Sequence, residues 1–265
     1  MLENRIRNKK YMKKIIKASE AAEMIKDGMT IGCSGFTPSG YPKAIPLALS
    51  NQNRDINISL LSGASVGREL DGKLSEKGML KRRFPYQSDE KLREGINKGL
   101  INYYDIHLSH FPQQVRYGYY GDIDLAIVEA VAITEEGNII PSTSVGTSNT
   151  FVRKADRVLI ELNLNKPLAL EGFHDIFEPE DPPYRKPIEI GSVGDRIGVP
   201  HIELSEEKLA GIVITELEDD IRLSPLEDKK SKKIAHNIIE LLNKEVEEGK
   251  IPNNLFPLQS GVGKV

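Results

Sequence analysis

The stretch that decides the fold is GCSGFTPSGYP, residues 32–42. It follows a short apolar run, residues 29–33, that predicts a buried strand, and an apolar helical pattern begins near Ala44. The glycines and prolines between them predict a tight turn from strand to helix. Glycine has no Cβ to block a ligand, so backbone N–H groups in such a turn can face an anion or a developing oxyanion. A plain strand-to-helix connection is the alternative interpretation.

Similar apolar runs alternate with polar and helical segments along the chain. Strands are predicted over residues 56–61, 123–130, 157–161 and 211–217, and a long helix over residues 226–248. Apolar runs of this length between helices are typical of parallel strands covered on both faces. We therefore predict an α/β fold with a parallel or mixed sheet flanked by helices.

The composition excludes several classes of protein. The chain has 265 residues, of which 39% are hydrophobic, enough for one large domain or two small ones. A net charge of −3 argues against general nucleic-acid binding, and the single cysteine allows no internal disulfide. No apolar run approaches the ~20 residues that a membrane helix needs. We expect a cytoplasmic protein with no nucleic-acid and no membrane partner.

The N-terminus is basic, and it predicts a solvated arm over residues 1–18 with the folded domain over residues 19–265. A transit peptide or a membrane-surface helix is the alternative, which Glu3 and the scarcity of serine and large apolar residues disfavour. The cations of this segment are Arg5, Arg7, Lys9, Lys10, Lys13, Lys14 and Lys17.

Several residues admit both a structural and a chemical interpretation. Cys33 is interpreted as a small core residue rather than a nucleophile, because no activating base is identified nearby. Glu129 and Glu161 end predicted strands, where a desolvated carboxylate can act as a nucleophile or base, yet a hydrogen-bonded structural role is favoured. Gly63 and Gly67 indicate a plain turn, since the spacing of a phosphate loop is missing.

The histidines give weak signals. His107 and His110 suggest a metal site, but no cysteine or carboxylate pair at ligand spacing completes the set, so we expect no metal. His174 and Asp175 suggest an acid–base pair, which is disfavoured because adjacent side chains seldom point at one another.

Two further segments are rich in groups that can bind an anion. Arg82 and Arg83 are interpreted as solvated charges, with a counterion role beside a phosphate-bearing ligand as the alternative. The hydroxyl-rich run 142–149 leads into a short helix, so its donors suit either an anionic or thioester ligand or the N-cap of that helix.

The letters of the opening stretch carry a family resemblance. The pattern SGFxxxGxP of residues 34–42 resembles the GGFxxxGxP signature of coenzyme A transferases, with serine in place of the first glycine. The longer string GFTPSGYPKAIP, residues 35–46, is similar to the acetyl-CoA hydrolase/transferase family and to its succinyl-CoA:acetate CoA-transferase branch. Residues 107–115, 142–146 and 259–263 also resemble segments of that family.

The resemblance implies where a CoA thioester binds. It implies that residues near the acyl group lie in the opening loop, namely Gly35, Phe36, Thr37, Pro38 and Gly40. It implies that the CoA and oxyanion segment is the QSGVG run, namely Gln259, Ser260, Gly261, Val262 and Gly263. The backbone of Val262 is then the only catalytic group expected in this chain.

The resemblance also implies a covalent reaction. In the family, a glutamate of the second half attacks the acyl thioester, CoA thiolate returns to give a glutamyl-CoA thioester, and a second carboxylate then takes the CoA. No residue of this chain matches that glutamate. We therefore expect the N-terminal half of an acyl-CoA:carboxylate CoA-transferase, truncated and inactive alone, whose missing C-terminal half is a partner.

The expected ligands are acyl-CoA and small carboxylates as substrates, with no permanently bound cofactor. The complete protein is expected to be a homodimer. Acetyl-CoA hydrolysis on the same scaffold, with water as acceptor, is one alternative function. A non-catalytic half that binds CoA or a complementary polypeptide is another. A dinucleotide dehydrogenase is more distant, because no Gly-x-Gly-x-x-Gly follows a strand with an acidic residue ~20 positions on.

Overall fold

The computed structural model describes residues 2–64, 66–220, 228–256, 258–259 and 261. The chain divides into two compact units, Met1–Ile221 and Arg222–Val265. The first unit carries the sheet, and the described part of the second carries one long helix.

The described residues of the first unit form a single sheet with short helices on both faces. The strands are β1 (Thr30–Cys33), β2 (Ile58–Ser62), β3 (Leu80–Phe84), β4 (Asn102–Tyr103), β5 (Ile123–Ile133), β6 (Ile139–Pro141), β7 (Ala155–Asn163) and β8 (Leu209–Thr215). The helices are α1 (Ala18–Glu23), α2 (Ala44–Ser50), α3 (Lys73–Glu76), α4 (Glu90–Asn97), α5 (Phe111–Arg116) and α6 (Ser148–Lys154).

The strand order shows how the chain winds. It is β4-β3-β2-β1-β5-β7-β8, with all neighbours parallel, and β6 pairs antiparallel with the end of β5. The chain moves outward from β1 to β4 and then returns to place β5 on the other side of β1. In open parallel sheets, ligands bind at such a reversal, beyond the carboxyl ends of the strands. The predicted α/β fold is confirmed.

The hydrophobic core covers both faces of the sheet because side chains alternate along each strand. Val128 and Ile160 point into one cluster, which also contains Phe111 of α5. Ile127 and Leu159 point into the opposite cluster, against α1, α2, α3 and α4. Burial on both faces explains why these strands read as continuous apolar runs rather than as alternating ones.

The predicted solvated arm at the N-terminus is wrong for its apolar residues. Ile6 and Tyr11 are 2% and 1% exposed and belong to the core. Ile6 forms a parallel bridge with Ile133, and the guanidinium of Arg5 donates to the carbonyl of Val131 at 2.9 Å. The lysines of the segment do face solvent. The many charged residues of this segment made its few buried apolar residues hard to recognise from the sequence.

Acidic side chains close the first turns of α1 and α4. In α1 the Lys17 N–H donates to the Glu20 carboxylate at 2.8 Å. In α4 Asp89 is the N-cap and accepts the Leu92 N–H at 2.9 Å. A carboxylate at the N-cap also stabilises the positive end of the helix dipole.

The second unit contains helix α7 (Lys229–Glu247), which Asp228 caps through the N–H groups of Lys230 and Ser231. The predicted beginning of this helix, residue 226, lies outside the described residues. The described residues of 255–259 form no strand, and Leu255 has a φ of 58°. No helix in the described residues is long and apolar enough to cross a membrane.

Candidate functional site

The glycine-rich loop leaves β1 at the point where the strand order reverses. Gly35 and Gly40 have φ angles of 121° and 67°, which L side chains rarely adopt, so the two glycines form the bends of the loop. The Phe36 N–H donates to the Ser39 carbonyl at 3.1 Å and closes the tip. Phe36 and Thr37 are exposed at that tip, while both glycines are buried. The loop therefore presents a short exposed tip at the carboxyl edge of the sheet.

Three loops converge there through their glycines. A Cβ on Gly63, after β2, would lie 2.2 Å from the carbonyl oxygen of Gly35 and 3.1 Å from the Cα of Gly146. A Cβ on Gly40 would lie 2.4 Å from the hydroxyl of Ser144. The backbones are therefore in direct contact, and the predicted plain turn at Gly63 forms part of the site.

Tyr41 fixes the far side of the loop. Its hydroxyl donates to the Glu69 carboxylate at 2.5 Å, and its ring lies where a Cβ on Gly67 would be. Burial, together with the hydrogen bond to Glu69, raises the pKa of Tyr41 well above its usual range. The loop is consequently held at both ends, by Gly35 against Val66 and by Tyr41 against Glu69.

Glu129 lies beneath the loop on β5, just beyond the end of β1. Its Oε1 accepts the hydroxyl of Ser142 at 2.6 Å, and its Oε2 accepts Lys43 Nζ at 2.6 Å and Asn163 Nδ2 at 3.0 Å. Its backbone N–H donates to the hydroxyl of Ser34 at 2.9 Å. Glu129 is 0% exposed. The predicted structural role is therefore confirmed.

Lys43 is a buried cation that no sequence pattern singles out. It is 0% exposed, and its three ammonium protons have three acceptors: Glu129 at 2.6 Å, Asp219 at 2.9 Å and the Tyr41 carbonyl at 2.8 Å. Burial alone would lower the pKa of Lys43, but the carboxylates of Glu129 and Asp219 outweigh burial and raise it. Lys43 is therefore charged and fully hydrogen-bonded.

Asp219 accepts a second ammonium group, that of Lys166. Two carboxylates and two ammonium groups thus form one buried cluster with no net charge: Glu129, Asp219, Lys43 and Lys166. The members are far apart in sequence and come together only through the parallel sheet, so no local motif signals them.

Glu161 lies beside Glu129 on the neighbouring strand β7 and serves a different purpose. Its carboxylate accepts the backbone N–H groups of Lys43 at 2.6 Å, Ala44 at 2.8 Å and Ile45 at 3.1 Å. It therefore caps α2 from outside the helix. Burial raises the pKa of Glu161 to about 7, against the opposing effect of the three donors. The predicted structural role is again confirmed.

The other sequence candidates do not join this site as reacting groups. Cys33 is 1% exposed in the core, where burial raises the pKa of its thiol. His174 donates from Nε2 to the Ser142 carbonyl at 2.7 Å, whereas Asp175 accepts the N–H groups of Ile197 and Gly198. The adjacent pair is therefore split between two partners, as expected.

The predicted solvated charge at Arg83 is wrong. Arg83 is 0% exposed and makes a two-fold ion pair with Asp71, from Nε at 2.7 Å and from Nη2 at 3.1 Å. Arg82 is partly exposed and donates to the hydroxyl of Ser59 at 2.8 Å. A buried guanidinium needs such a bidentate partner. Asp71 lies 12 residues earlier, in the helical segment Arg68–Gly72, and no sequence pattern pairs the two residues.

His107 and His110 lie in a turn before α5, with ring centroids 5.3 Å apart. Among the described residues, no group of three histidine, cysteine, aspartate or glutamate side chains is placed to hold a metal ion.

The QSGVG segment belongs to the second unit. Its described members, Gln259 and Gly261, are both exposed. Ser260, Val262 and Gly263 lie outside the described residues.

Comparison with known proteins connects these features to a family. The model of the acetyl-CoA hydrolase/transferase N-terminal domain matches residues 1–214. The chain is 47% identical over 267 residues to the succinyl-CoA:acetate CoA-transferase of Clostridium kluyveri, covering 99% of this chain and 50% of that protein. It is 41% identical over 280 residues to the acetyl-CoA hydrolase of Schizosaccharomyces pombe, covering 100% of this chain and 53% of that protein.

The chain thus spans about half the length of the curated relatives it matches. Among solved structures, RipA from Yersinia pestis shares the fold, with a TM-score of 0.58 at 17% identity over 87% of this chain and 49% of that one. The family match covers most of the sheet unit, including the loop after β1, Lys43 and both strand glutamates. The chain belongs to the acetyl-CoA hydrolase/transferase family, as its N-terminal domain.

Proposed function

We propose that this chain is the N-terminal half of an acyl-CoA:carboxylate CoA-transferase of the succinyl-CoA/acetyl-CoA:acetate type. It contributes to moving CoA between carboxylic acids through a glutamyl-CoA thioester, and the glutamate that forms the thioester lies outside this chain. The substrates are acyl-CoA and small carboxylates. The complete protein is a cytoplasmic homodimer with no permanently bound cofactor.

The observation that carries the proposal is the placement of the glycine-rich loop. Its tip, Phe36 and Thr37, is exposed at the reversal point of the sheet, and its buried glycines bring the backbone of two further loops against it. Such a site places little side-chain bulk next to a ligand, which leaves room for the carbonyl of a thioester to approach the backbone. In this proposal Gly35, Phe36, Thr37, Pro38 and Gly40 lie next to the acyl group.

The hydrogen bonds of Glu129 and Glu161 support the proposal that the nucleophilic glutamate lies outside this chain. Glu129 and Glu161 are both 0% exposed, and their oxygens already accept side-chain or backbone donors. A carboxylate in that state cannot reach a substrate carbonyl without breaking the cluster or uncapping α2. The QSGVG residues Gln259, Ser260, Gly261, Val262 and Gly263 are proposed to bind CoA, with the Val262 N–H as an oxyanion donor.

Hydrolysis is the second candidate, because the relatives include acetyl-CoA hydrolases. A fusion of this chain to the C-terminal half of the Clostridium kluyveri relative separates the two, with the chain alone as control. We expect the fusion to convert succinyl-CoA and labelled acetate into labelled acetyl-CoA. CoA release that does not depend on acetate would indicate the hydrolase. A folded fusion that binds acetyl-CoA without turnover would contradict both and favour a non-catalytic half.

A further inference from the structure

Asp219 lies after β8, at the same carboxyl edge of the sheet as the glycine-rich loop. Its side chain is 5% exposed. The loop and Asp219 are far apart in the sequence, and the parallel sheet brings them together. No feature of the sequence selects this residue, and the proposed function assigns it no role.

The carboxylate of Asp219 is saturated by donors from three segments of the chain. Its Oδ1 accepts the backbone N–H of Gly40 at 3.2 Å and Lys43 Nζ at 2.9 Å. Its Oδ2 accepts the hydroxyl of Thr143 at 3.1 Å and the ammonium group of Lys166, and Ser39 Oγ lies 3.2 Å from the same oxygen. A carboxylate has about four lone-pair positions, so these donors occupy all of them.

Hydrogen bonds between hydroxyl groups connect Asp219 to Ser39, next to the tip of the glycine-rich loop. Ser39 Oγ donates to Thr143 Oγ1 at 2.7 Å, and Thr143 in turn donates its only hydroxyl proton to Asp219. Ser144 Oγ donates to the Ser39 carbonyl at 2.9 Å. Asp219 therefore bonds directly to one bend of the loop, at Gly40, and it reaches Ser39 both directly, at 3.2 Å, and through Thr143.

The charges explain why these contacts are stronger than ordinary loop contacts. Asp219 shares Lys43 with Glu129, so the loop is attached to a buried cluster whose two cations balance two carboxylates. Hydrogen bonds to an ionised group are roughly twice as strong as neutral ones. Removing one charge from the cluster leaves an opposite charge uncompensated in the interior.

We propose that Asp219 is a positioning residue that sets the distance between the glycine-rich loop, residues 35–42, and the hydroxyl loop, residues 142–146. It acts through Gly40 and Thr143 and does not itself touch a substrate. The consequence for acyl-CoA rests on the proposed function, whereas the positioning of the loop does not.

The test is amide hydrogen exchange of the full chain with the substitution D219N. Asparagine keeps the size of the side chain but removes its charge. Its NH2 group must face either Gly40 N–H and Lys43 or Thr143 and Lys166, so both orientations set donors against donors, and neither oxygen retains the pull of an ionised carboxylate on the loop. We expect exchange at the Gly40 amide to rise about tenfold or more, while amides of β5 keep their protection. D181N is the matched control, because Asp181 also accepts an arginine ion pair but lies on the excursion between β7 and β8. It is expected to leave Gly40 unchanged.

T143V serves as a milder variant, because Thr143 is exposed and the substitution removes one hydroxyl contact while Ser39 Oγ keeps its 3.2 Å contact with Asp219. We expect a rise of a few-fold at Gly40 relative to wild type. Unchanged exchange at Gly40 in both variants would overturn the positioning role. A rise that spreads equally over β5 would also overturn it, since that pattern indicates general destabilisation.

A second measurement separates this inference from the proposed function. The acetyl-CoA concentration that half-saturates the fusion protein is compared between wild type and D219N at a temperature where both are folded. We expect D219N to weaken binding about tenfold. If wild type binds no acetyl-CoA but D219N still frees the Gly40 amide, the proposed function fails and the positioning role stands.

Discussion

The glycine-rich loop and the long excursion between β7 and β8 are held in place by different means. The loop is fixed by backbone contacts at its glycines and by a cluster in which Lys43 and Glu129 are 0% exposed. The outer part of the excursion, residues 171–199, is tied through Arg116 to Glu178 and Asp181, whose side chains are 16% and 26% exposed. It also leaves Phe173 and Tyr184 both 75% exposed.

This contrast distinguishes a loop that must be held at a fixed position from a segment that only covers a surface. A loop that must hold backbone donors at fixed points needs direct packing and buried charge, because both resist small displacements. A segment that spreads over a surface is held by ion pairs near solvent, which contribute little each. The following predictions test whether the two regions differ in this way, from the largest expected effect to the smallest.

The largest effect is expected for K43M. Methionine is similar in length but leaves buried Glu129 without a cation and Asp219 with Lys166 alone, which is expected to cost about 3–5 kcal/mol of unfolding free energy. K91M is the control, because the Lys91–Glu94 pair is about half exposed and its loss is expected to change stability far less. Urea unfolding of both variants measures the difference. Equal losses would mean that the cluster is no more important than a surface pair.

The next effect is expected for G63A. Its Cβ would lie 2.2 Å from the Gly35 carbonyl oxygen, so one of the loop backbones must move, at an expected cost of about 3 kcal/mol. G194A is the matched control on the excursion, because a Cβ there meets nothing within 4 Å. It is expected to change stability by less than about 0.5 kcal/mol. A tolerated G63A would refute the close contact of the three loops.

A smaller effect concerns pH. Burial raises the pKa of Glu161 from 4.5 to about 7, so the folded chain keeps a proton in this interval that the unfolded chain has lost. The unfolding free energy contributed by Glu161 therefore falls as pH rises from about 4.5 to 7. E161Q cannot ionise, and its stability is expected to lose this slope.

The exposed Glu180 provides the control for that measurement, since E180Q removes a carboxylate from the excursion without touching α2. Thermal unfolding at several pH values compares the three proteins. If E161Q and wild type show parallel pH profiles, Glu161 is ionised in the fold throughout this range and the assigned effect of burial is wrong.

The smallest global effect is expected for R116M. It removes the ion pairs to Glu178 and Asp181, and we expect about 1 kcal/mol of local loosening in the excursion with little change elsewhere. Limited proteolysis should cut within residues 172–199 faster than in wild type, while exchange at the Gly40 amide stays the same. Faster exchange at Gly40 would show that the two regions are coupled.

The sequence was sufficient to predict the α/β class and strands such as β5, because apolar runs between helices carry that information. It was insufficient for β3, whose letters LKRRF read as polar. Arg83 there is buried only because Asp71 binds it, and a pairing of this kind depends on the tertiary fold.

The same distinction applies to the candidate site. The glycines of the loop were evident, since glycine marks special backbone geometry wherever it occurs. The cluster that holds the loop was not, because Lys43, Glu129, Lys166 and Asp219 meet only where parallel strands bring their carboxyl ends together. A charged residue in isolation is usually a solvated one, so burial of these groups could not be inferred from residue type.

The most direct measurement of the central claim is amide exchange across residues 35–40 of the fusion protein, with and without acetyl-CoA. The account predicts slower exchange in this loop when acetyl-CoA is bound, with no change in the excursion at residues 188–195. Binding confirmed by a thermal shift but accompanied by unchanged exchange in the loop would contradict it, because the thioester would then lie elsewhere.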